Sequence, residues 1–297
     1  MIDIKGIIPA IVTPMHADES INFKELSNQV ERQIAAGAHG LLPIGTNGEF
    51  FVLSDTEKEE VLETTIATAN KRLVIYAGTG CVSTRETIRL SKRANDMGAD
   101  ALSLICPYFA AASQDEIYEH YKSVAEVVPI PIVVYNIPAR TGINIAPATI
   151  ARLAKIDNIV GVKDSSGSFE NILQYIEVTK EENFEVLAGT DSLILWNLMS
   201  GGAGAVTGIA NIYPKTLVSI YESFQRGDLE EAKKHQKSIQ NIRSNFKYGN
   251  PNTIVKTAVG LLGHPVGACR APFNQVPQAG IEAIKQILEA DKAKGMC

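Results

Sequence analysis

The sequence predicts a (β/α)8 barrel, a TIM barrel, with a C-terminal helical extension. Three observations carry that expectation. Short apolar runs alternate with longer amphipathic runs eight times, the pattern of a parallel sheet with crossover helices. The eight units fill about 225 of the 297 residues, near the usual size of a closed barrel. The segment Pro14-Met15-His16-Ala17-Asp18 follows the first strand. It lacks the G-x-G-x-x-G turn that an open doubly wound sheet usually carries there.

Each unit reads as a buried strand and then a helix with apolar residues three and four apart. The first strand spans Gly6–Thr13 and its helix Phe23–Ala36. Gly40–Ile44 precedes a helix over Asp55–Asn70, and Arg72–Ala77 precedes one over Thr84–Met97. Ala101–Cys106 leads into Gln114–Val127, and Ile132–Asn136 into Ala146–Ala154. Ile159–Lys163 leads into Phe169–Thr179, and Phe184–Ala188 into Ser192–Met199. Ala205–Gly208 is the eighth strand and Pro214–Gln225 its helix. Beyond these, Leu229–Phe246 reads as one long polar-rich helix, followed by Asn252–Leu262 and Glu282–Lys292. No linker rich in Pro, Gly or Ser intervenes. Residues 1–225 are therefore the expected barrel, and residues 226–297 a helical extension of the same domain.

Composition excludes several classes. Hydrophobic residues make up 45% and charged residues 21%, as in ordinary globular chains. A net charge of -5 gives no general attraction to nucleic acid or anionic lipid. No apolar run approaches the roughly 18 residues of a membrane span. The start, Met1-Ile2-Asp3-Ile4-Lys5-Gly6, has no basic segment leading into an apolar core, so no signal peptide is expected. Cys81, Cys106, Cys269 and Cys297 show no C-x-x-C spacing, and free thiols in a cytoplasmic protein are the simplest reading. His16, His39, His120, His235 and His264 are dispersed, so no metal site is expected.

In a barrel, chemistry sits at the C-terminal ends of the strands. Four polar groups fall there: Thr46 after the second strand, Tyr135 on the fifth, Lys163 on the sixth and Thr207 on the eighth. A lysine just past a strand is ordinarily a surface residue. Lys163, however, ends the apolar run Ile159-Val160-Gly161-Val162 and precedes the polar turn Asp164-Ser165-Ser166-Gly167. Burial disfavours the charged form of an amine, and a free amine attacks carbonyls, so Lys163 is a Schiff-base candidate. Strand alternation points Lys163 and Gly161 inward, with Gly161 clearing space below the lysine. It sends Asp164 the other way, so Asp164 is not the lysine's counter-ion. Neighbouring strands lie about 4.8 Å apart, which lets Tyr135 lay its hydroxyl beside the amine. Without a metal, cleavage next to a carbonyl needs another electron sink, and a protonated imine supplies one.

Two loops add binding groups. Gly45-Thr46-Asn47-Gly48-Glu49 is a tight polar turn whose glycines allow unusual φ values and bare successive N–H groups, suiting a carboxylate or phosphate. Its plainer reading is an ordinary turn with Glu49 starting a helix. Tyr135-Asn136-Ile137-Pro138-Ala139-Arg140-Thr141-Gly142 carries an arginine able to grip a carboxylate with two hydrogen bonds. The plainer reading of Arg140 is a surface ion pair.

These two loops and Gly161-Val162-Lys163-Asp164 resemble the motifs of the dihydrodipicolinate synthase / N-acetylneuraminate lyase family of class I pyruvate aldolases. Ala77-Gly78-Thr79-Gly80, Pro107-Tyr108, Gly201-Gly202-Ala203-Gly204 and Asn250-Pro251 extend the resemblance nearly end to end. The resemblance implies that Lys163 forms an imine with pyruvate or a 2-keto acid and that Tyr135 shuttles protons. It implies that Thr46 and Asn47 hold the keto acid's carboxylate and that Arg140 grips an aldehyde's carboxylate. It also implies a homotetramer without a cofactor. Three departures stand out. In the synthase a partner-subunit tyrosine commonly follows the Pro-Tyr pair; here Phe109 stands there and cannot pass a proton. Asn47 replaces the usual second threonine of the turn. Asp55, Lys58 and Val82 stand at the lysine-feedback positions, where histidines and an asparagine are usual.

The expected function is a Schiff-base aldolase or lyase acting on pyruvate and an aldehyde. Phe109 inclines the reading toward cleavage of a 2-keto-3-deoxy sugar acid, with Thr207 as a further substrate contact. The alternative is 4-hydroxy-tetrahydrodipicolinate synthase, which condenses pyruvate with aspartate semialdehyde and which Arg140 favours. Two readings from other classes remain. One is a phosphate-binding or pyridoxal-phosphate barrel, although Gly201–Gly204 precedes strand eight rather than following it. The other is a binding protein that has lost turnover.

Overall fold

The computed structural model describes residues 2–296, so Met1 and Cys297 lie outside the described residues. The other three cysteines are free thiols. In chain order the elements are β1 Gly6–Pro9, α1 Phe23–Ala35, β2 Gly40–Leu41, α2 Asp55–Ala69, β3 Val74–Gly78, α3 Thr84–Asp96 and β4 Ala101–Ile105. Then come α4 Gln114–Ala125, β5 Ile132–Asn136, α5 Pro138–Thr141, α6 Pro147–Leu153, β6 Ile159–Asp164, α7 Phe169–Thr179 and β7 Glu185–Ala188. The last are α8 Ile194–Met199, β8 Gly204–Thr207, α9 Pro214–Gln225, α10 Leu229–Ser238, α11 Gln240–Arg243, α12 Pro251–Leu261 and α13 Gln278–Lys292. All eight expected strands are present, each within a few residues of its expected bounds. The expected single helix over Leu229–Phe246 is instead broken. α10 stops at Ser238, whose hydroxyl turns back onto the His235 carbonyl at 2.7 Å, and the chain passes through the buried Ile239 into α11. Such local bonding competes with helix continuation. The short α5, set up by Pro138 at its start and closed by Gly142 at φ 75°, was not expected.

The chain groups into two compact units. The first holds the residues up to Ile8 together with Val74–Thr207. Its strands run in the order β1-β8-β7-β6-β5-β4-β3, and the pairs from β3 to β8 are parallel. β4, β5, β6 and β8 are buried along their whole length, which is why they read as continuous apolar runs rather than alternating ones. Serines start three of the helices here. Ser83, Ser113 and Ser168 each accept a first-turn N–H, and Ser113 completes a capping box with Glu116. Such caps are worth about 1 kcal/mol each.

The second unit holds Pro9–Leu73 and the chain from Gly208 onward. Ala10 bridges Leu42 in parallel. Asn211 spans this edge, donating to the Ala10 carbonyl at 2.8 Å and accepting from the Val12 N–H at 3.0 Å. The C-terminal helices belong to this unit. The buried Tyr213 donates to the buried Asp291 at 2.8 Å, which fastens α13. Arg270 joins α2 to the loop before α13, with its guanidinium on both oxygens of Glu57 at 2.6 and 3.0 Å.

That clamp has a pH signature. The Arg270 hydrogen bonds hold the Glu57 carboxyl down at about 2, against 4.5 ordinarily. A depressed carboxyl adds stability above its unfolded pKa and loses it as pH falls through the folded value. The stability of the native chain should therefore fall between pH 4.5 and about 2. In Arg270→Ala that slope should flatten, read as urea midpoints against pH. An unchanged slope would remove Glu57 from the acid response.

Candidate active site

The β5–β6 register pairs Tyr135 with Lys163 and Asn136 with Asp164 at the C-terminal strand ends. Lys163 is 4% exposed and Tyr135 5%. The Lys163 Nζ lies over the Tyr135 ring, 3.9 Å from its centroid. The tyrosine thus offers the amine its ring face, where a side-by-side hydroxyl had been expected. Among the described residues Lys163 forms no ion pair. It is a buried amine at a strand end without a carboxylate partner.

Asp164 faces away, as strand alternation requires, and is fully engaged elsewhere. Its Oδ1 accepts from Asn136 Nδ2 at 2.7 Å and from Asn171 Nδ2 at 2.9 Å, and its Oδ2 accepts from Ser166 Oγ at 2.6 Å. Burial nonetheless raises its pKa, with the three donors opposing that rise. The network runs on. Asn136 also donates to Asn144 at 2.8 Å and accepts from the Ile145 N–H at 3.0 Å. The Ser165 N–H donates to the Asn136 carbonyl, and the Gly189 N–H to the Asp164 carbonyl. The ends of β5, β6 and β7 are thereby locked around the lysine.

Two glycines act here through close approach. A Cβ on Gly161 would lie 2.6 Å from the Glu185 carbonyl oxygen, so this glycine admits the β7 backbone rather than clearing space for the lysine. The room beside the lysine comes from Gly189. A Cβ there would meet Ser165 Oγ, the Asp164 carbonyl at 2.9 Å and the Lys163 Cε at 3.0 Å.

The other expected residues are placed as follows. Thr207 is fully buried at the end of β8, its hydroxyl donating to Asp191 Oδ1. Asp191 itself was not anticipated; its sequence signal is the polar turn Gly189-Thr190-Asp191 at the end of β7. Arg140 stands exposed on α5, directly beyond β5. Phe109 is 97% exposed and holds a left-handed φ of 77°, uncommon for a bulky residue. Tyr108 beside it is half-buried, and burial raises its pKa.

In the second unit, Thr46 and Asn47 form the half-exposed tip of the Gly45–Glu49 turn, closed by the Glu49 N–H on the Thr46 carbonyl at 3.1 Å. The left-handed residues are Ile44, just before the turn, and Glu49 at its end, at φ 50° and 59°. The glycines serve close packing instead: a Cβ on Gly48 would lie 3.0 Å from the Ile44 nitrogen, and one on Gly45 2.5 Å from Leu42 Cδ2. Glu49 does stand at the start of a short 3-10 helix, Phe50–Val52, but its side chain is withdrawn from solvent. It is completely buried and paired with Lys256, also buried, at 2.8 Å. Sequence reading missed Lys256, although it is the one charged residue of the apolar α12.

Residues 3–291 match the model of the Dihydrodipicolinate synthetase family. A 4-hydroxy-tetrahydrodipicolinate synthase from Syntrophus aciditrophicus is 40% identical over 286 residues, covering 96% of this chain and 97% of that protein. The solved dihydrodipicolinate synthase from Acinetobacter baumannii, complexed with pyruvate, is 35% identical with a TM-score of 0.94, covering 99% of this chain and 100% of that one. A synthase variant described as monomeric is 28% identical with a TM-score of 0.94, covering 99% and 97%. The fold is thus the expected (β/α)8 barrel with C-terminal helices.

Gly189→Ala should crowd the lysine against backbone that cannot yield. Overpacking of this kind costs about 1–3 kcal/mol. The expected outcome is a lower denaturant midpoint and slower reaction of Lys163 with a keto acid. Parent-like values for both would show that the space beside Lys163 is not set by Gly189.

Proposed function

The chain belongs to the dihydrodipicolinate synthetase family, and from that premise we propose that it is a 4-hydroxy-tetrahydrodipicolinate synthase, condensing pyruvate with aspartate semialdehyde. The coarse chemistry is the family's: a class I, pyruvate-dependent aldolase or lyase. The single observation that carries this chemistry to the chain's own residues is Lys163, a buried amine at the end of β6 with no acid partner among the described residues.

In the proposal, the Lys163 Nζ attacks the keto carbon of pyruvate and water leaves, forming an imine. Once protonated, the imine draws electrons from the adjacent C–H bond, and the resulting enamine carbon attacks the aldehyde. Tyr135, whose ring lies under the same nitrogen, carries protons to and from these atoms. Thr46 and Asn47 hold the pyruvate carboxylate through backbone N–H groups, Arg140 takes the aldehyde's distal carboxylate, and Thr207 is a further substrate contact. A cytoplasmic homotetramer belongs to the same proposal.

The sequence alone had inclined toward a 2-keto-3-deoxy sugar acid. The 40% identity to a synthase over nearly the whole chain reverses that order. The sugar-acid reading survives on one observation: Phe109 cannot transfer the proton that a tyrosine would, and it stands fully exposed beyond β4.

Borohydride should trap pyruvate on the parent chain and leave Lys163→Ala unlabelled; labelling of the variant at the parent rate would refute the assignment. A parallel assay of aspartate semialdehyde with pyruvate against a panel of 2-keto-3-deoxy acids should favour the former. Tyr135→Phe should slow turnover by about 10²- to 10⁴-fold, the range of a lost proton-transfer group. Phe109→Tyr should raise synthase turnover. No rise would show that position 109 has no part in the proton relay.

A further inference from the structure

We infer that the buried Glu49–Lys256 pair positions the Gly45–Glu49 turn, and through it the keto acid's carboxylate; the second half of this inference rests on the function proposed above. Lys256 is 1% exposed and Glu49 is 0%. The lysine ammonium has three protons, and each has an acceptor: Glu49 Oε1 at 2.8 Å, the Thr13 carbonyl at 2.9 Å and the Ala268 carbonyl at 2.7 Å. The second carboxylate oxygen accepts from the Arg270 backbone N–H at 2.8 Å. Thr13 returns a bond of its own, its hydroxyl donating to the Gly48 carbonyl at 2.8 Å.

Three distant chain segments therefore converge on the last two residues of one turn. Glu49 is held in the left-handed region, which an unrestrained glutamate seldom occupies. The other side of the turn is confined too, because a Cβ on Gly208 would lie 2.8 Å from Asn47 Nδ2. Only the tip, Thr46 and Asn47, retains partial exposure. A buried ion pair seldom stabilises a fold more than apolar residues of the same size would, and its better-attested use is to enforce one geometry. Here that geometry is the direction of the N–H groups at the tip. Lys256 touches no reacting atom, and with all three protons engaged it is a positioning residue.

Three chains should be compared: the parent, Lys256→Met and Lys256→Met/Glu49→Gln. The single variant strands a buried carboxylate and should unfold at a lower temperature than the double variant. In the folded double variant, amide exchange over residues 45–49 should quicken by about tenfold or more. The pyruvate concentration for half-maximal borohydride trapping should rise by about tenfold, while trapping at saturating pyruvate stays within about twofold of the parent. A purely structural role would not separate those two readings. Parent-like exchange, or a parent-like half-saturating concentration in a folded variant, overturns the inference. Should the double variant fail to fold, Glu49→Gln alone carries the same expectations. It leaves Lys256 its two carbonyls and sets the new amide NH2 against one of two donors, the Lys256 ammonium or the Arg270 N–H. A parent chain that traps no pyruvate sinks the functional reading and the carboxylate half of the inference, while the exchange measurement still decides whether the pair holds the turn.

Discussion

The register between β5 and β6 is the constraint on which the rest of the site depends. Parallel strands offer alternate residues to opposite faces, so a one-residue slip exchanges every pair. In the observed register Lys163 meets Tyr135, and Asp164 meets Asn136. The slipped register would carry the amine toward the covering helices and bring a carboxylate inward. A lysine with a carboxylate beside it is tied up as an ion pair. The proposed chemistry therefore turns on which of two adjacent residues faces the interior.

Asp164 is what makes the register costly to lose. A carboxylate with two amide donors and one hydroxyl donor at hydrogen-bond distance cannot move by one position without leaving several buried polar groups unpaired. Each such group costs about 1–3 kcal/mol. The aspartate that flanks the lysine thus acts on it without touching it. It spends its hydrogen-bonding capacity on Asn136, Asn171 and Ser166, and so holds the strand end at which Lys163 is presented.

Much of this was legible in the sequence, and the reason is locality. The strand at Ile159–Asp164, the inward direction of Lys163 and its adjacency to Tyr135 follow from period-two alternation and strand order. What escaped notice was set by contacts far apart in the chain. Glu49 and Lys256 are 207 residues apart, and nothing near either one signals the other. The glycines were noticed but misassigned, since a sequence shows that a Cβ is missing without showing what occupies its space. Gly161 admits a neighbouring carbonyl and Gly189 makes room for the lysine. The break at Ile239 escaped because the pattern on both sides is helical, and the interruption comes from one serine hydroxyl turning back on its own helix. Substrate choice escaped for a different reason. It rested on Phe109 and Arg140, which point to different substrates, whereas the proposed synthase reading draws on likeness over 286 residues.

The two buried lysines show how one residue type is turned to two uses. Both are almost wholly removed from solvent, at 4% for Lys163 and 1% for Lys256. Removing an ammonium from water is costly unless its protons find acceptors. Lys256 finds three, one of them a carboxylate; breaking such a pair from one side typically costs about 3–5 kcal/mol. Lys163 finds an aromatic face and no carboxylate. Burial therefore does not by itself make a lysine a nucleophile. Among the described residues the two differ in the acceptors at the nitrogen, three at Lys256 and no carboxylate at Lys163, and the proposed imine chemistry uses that difference.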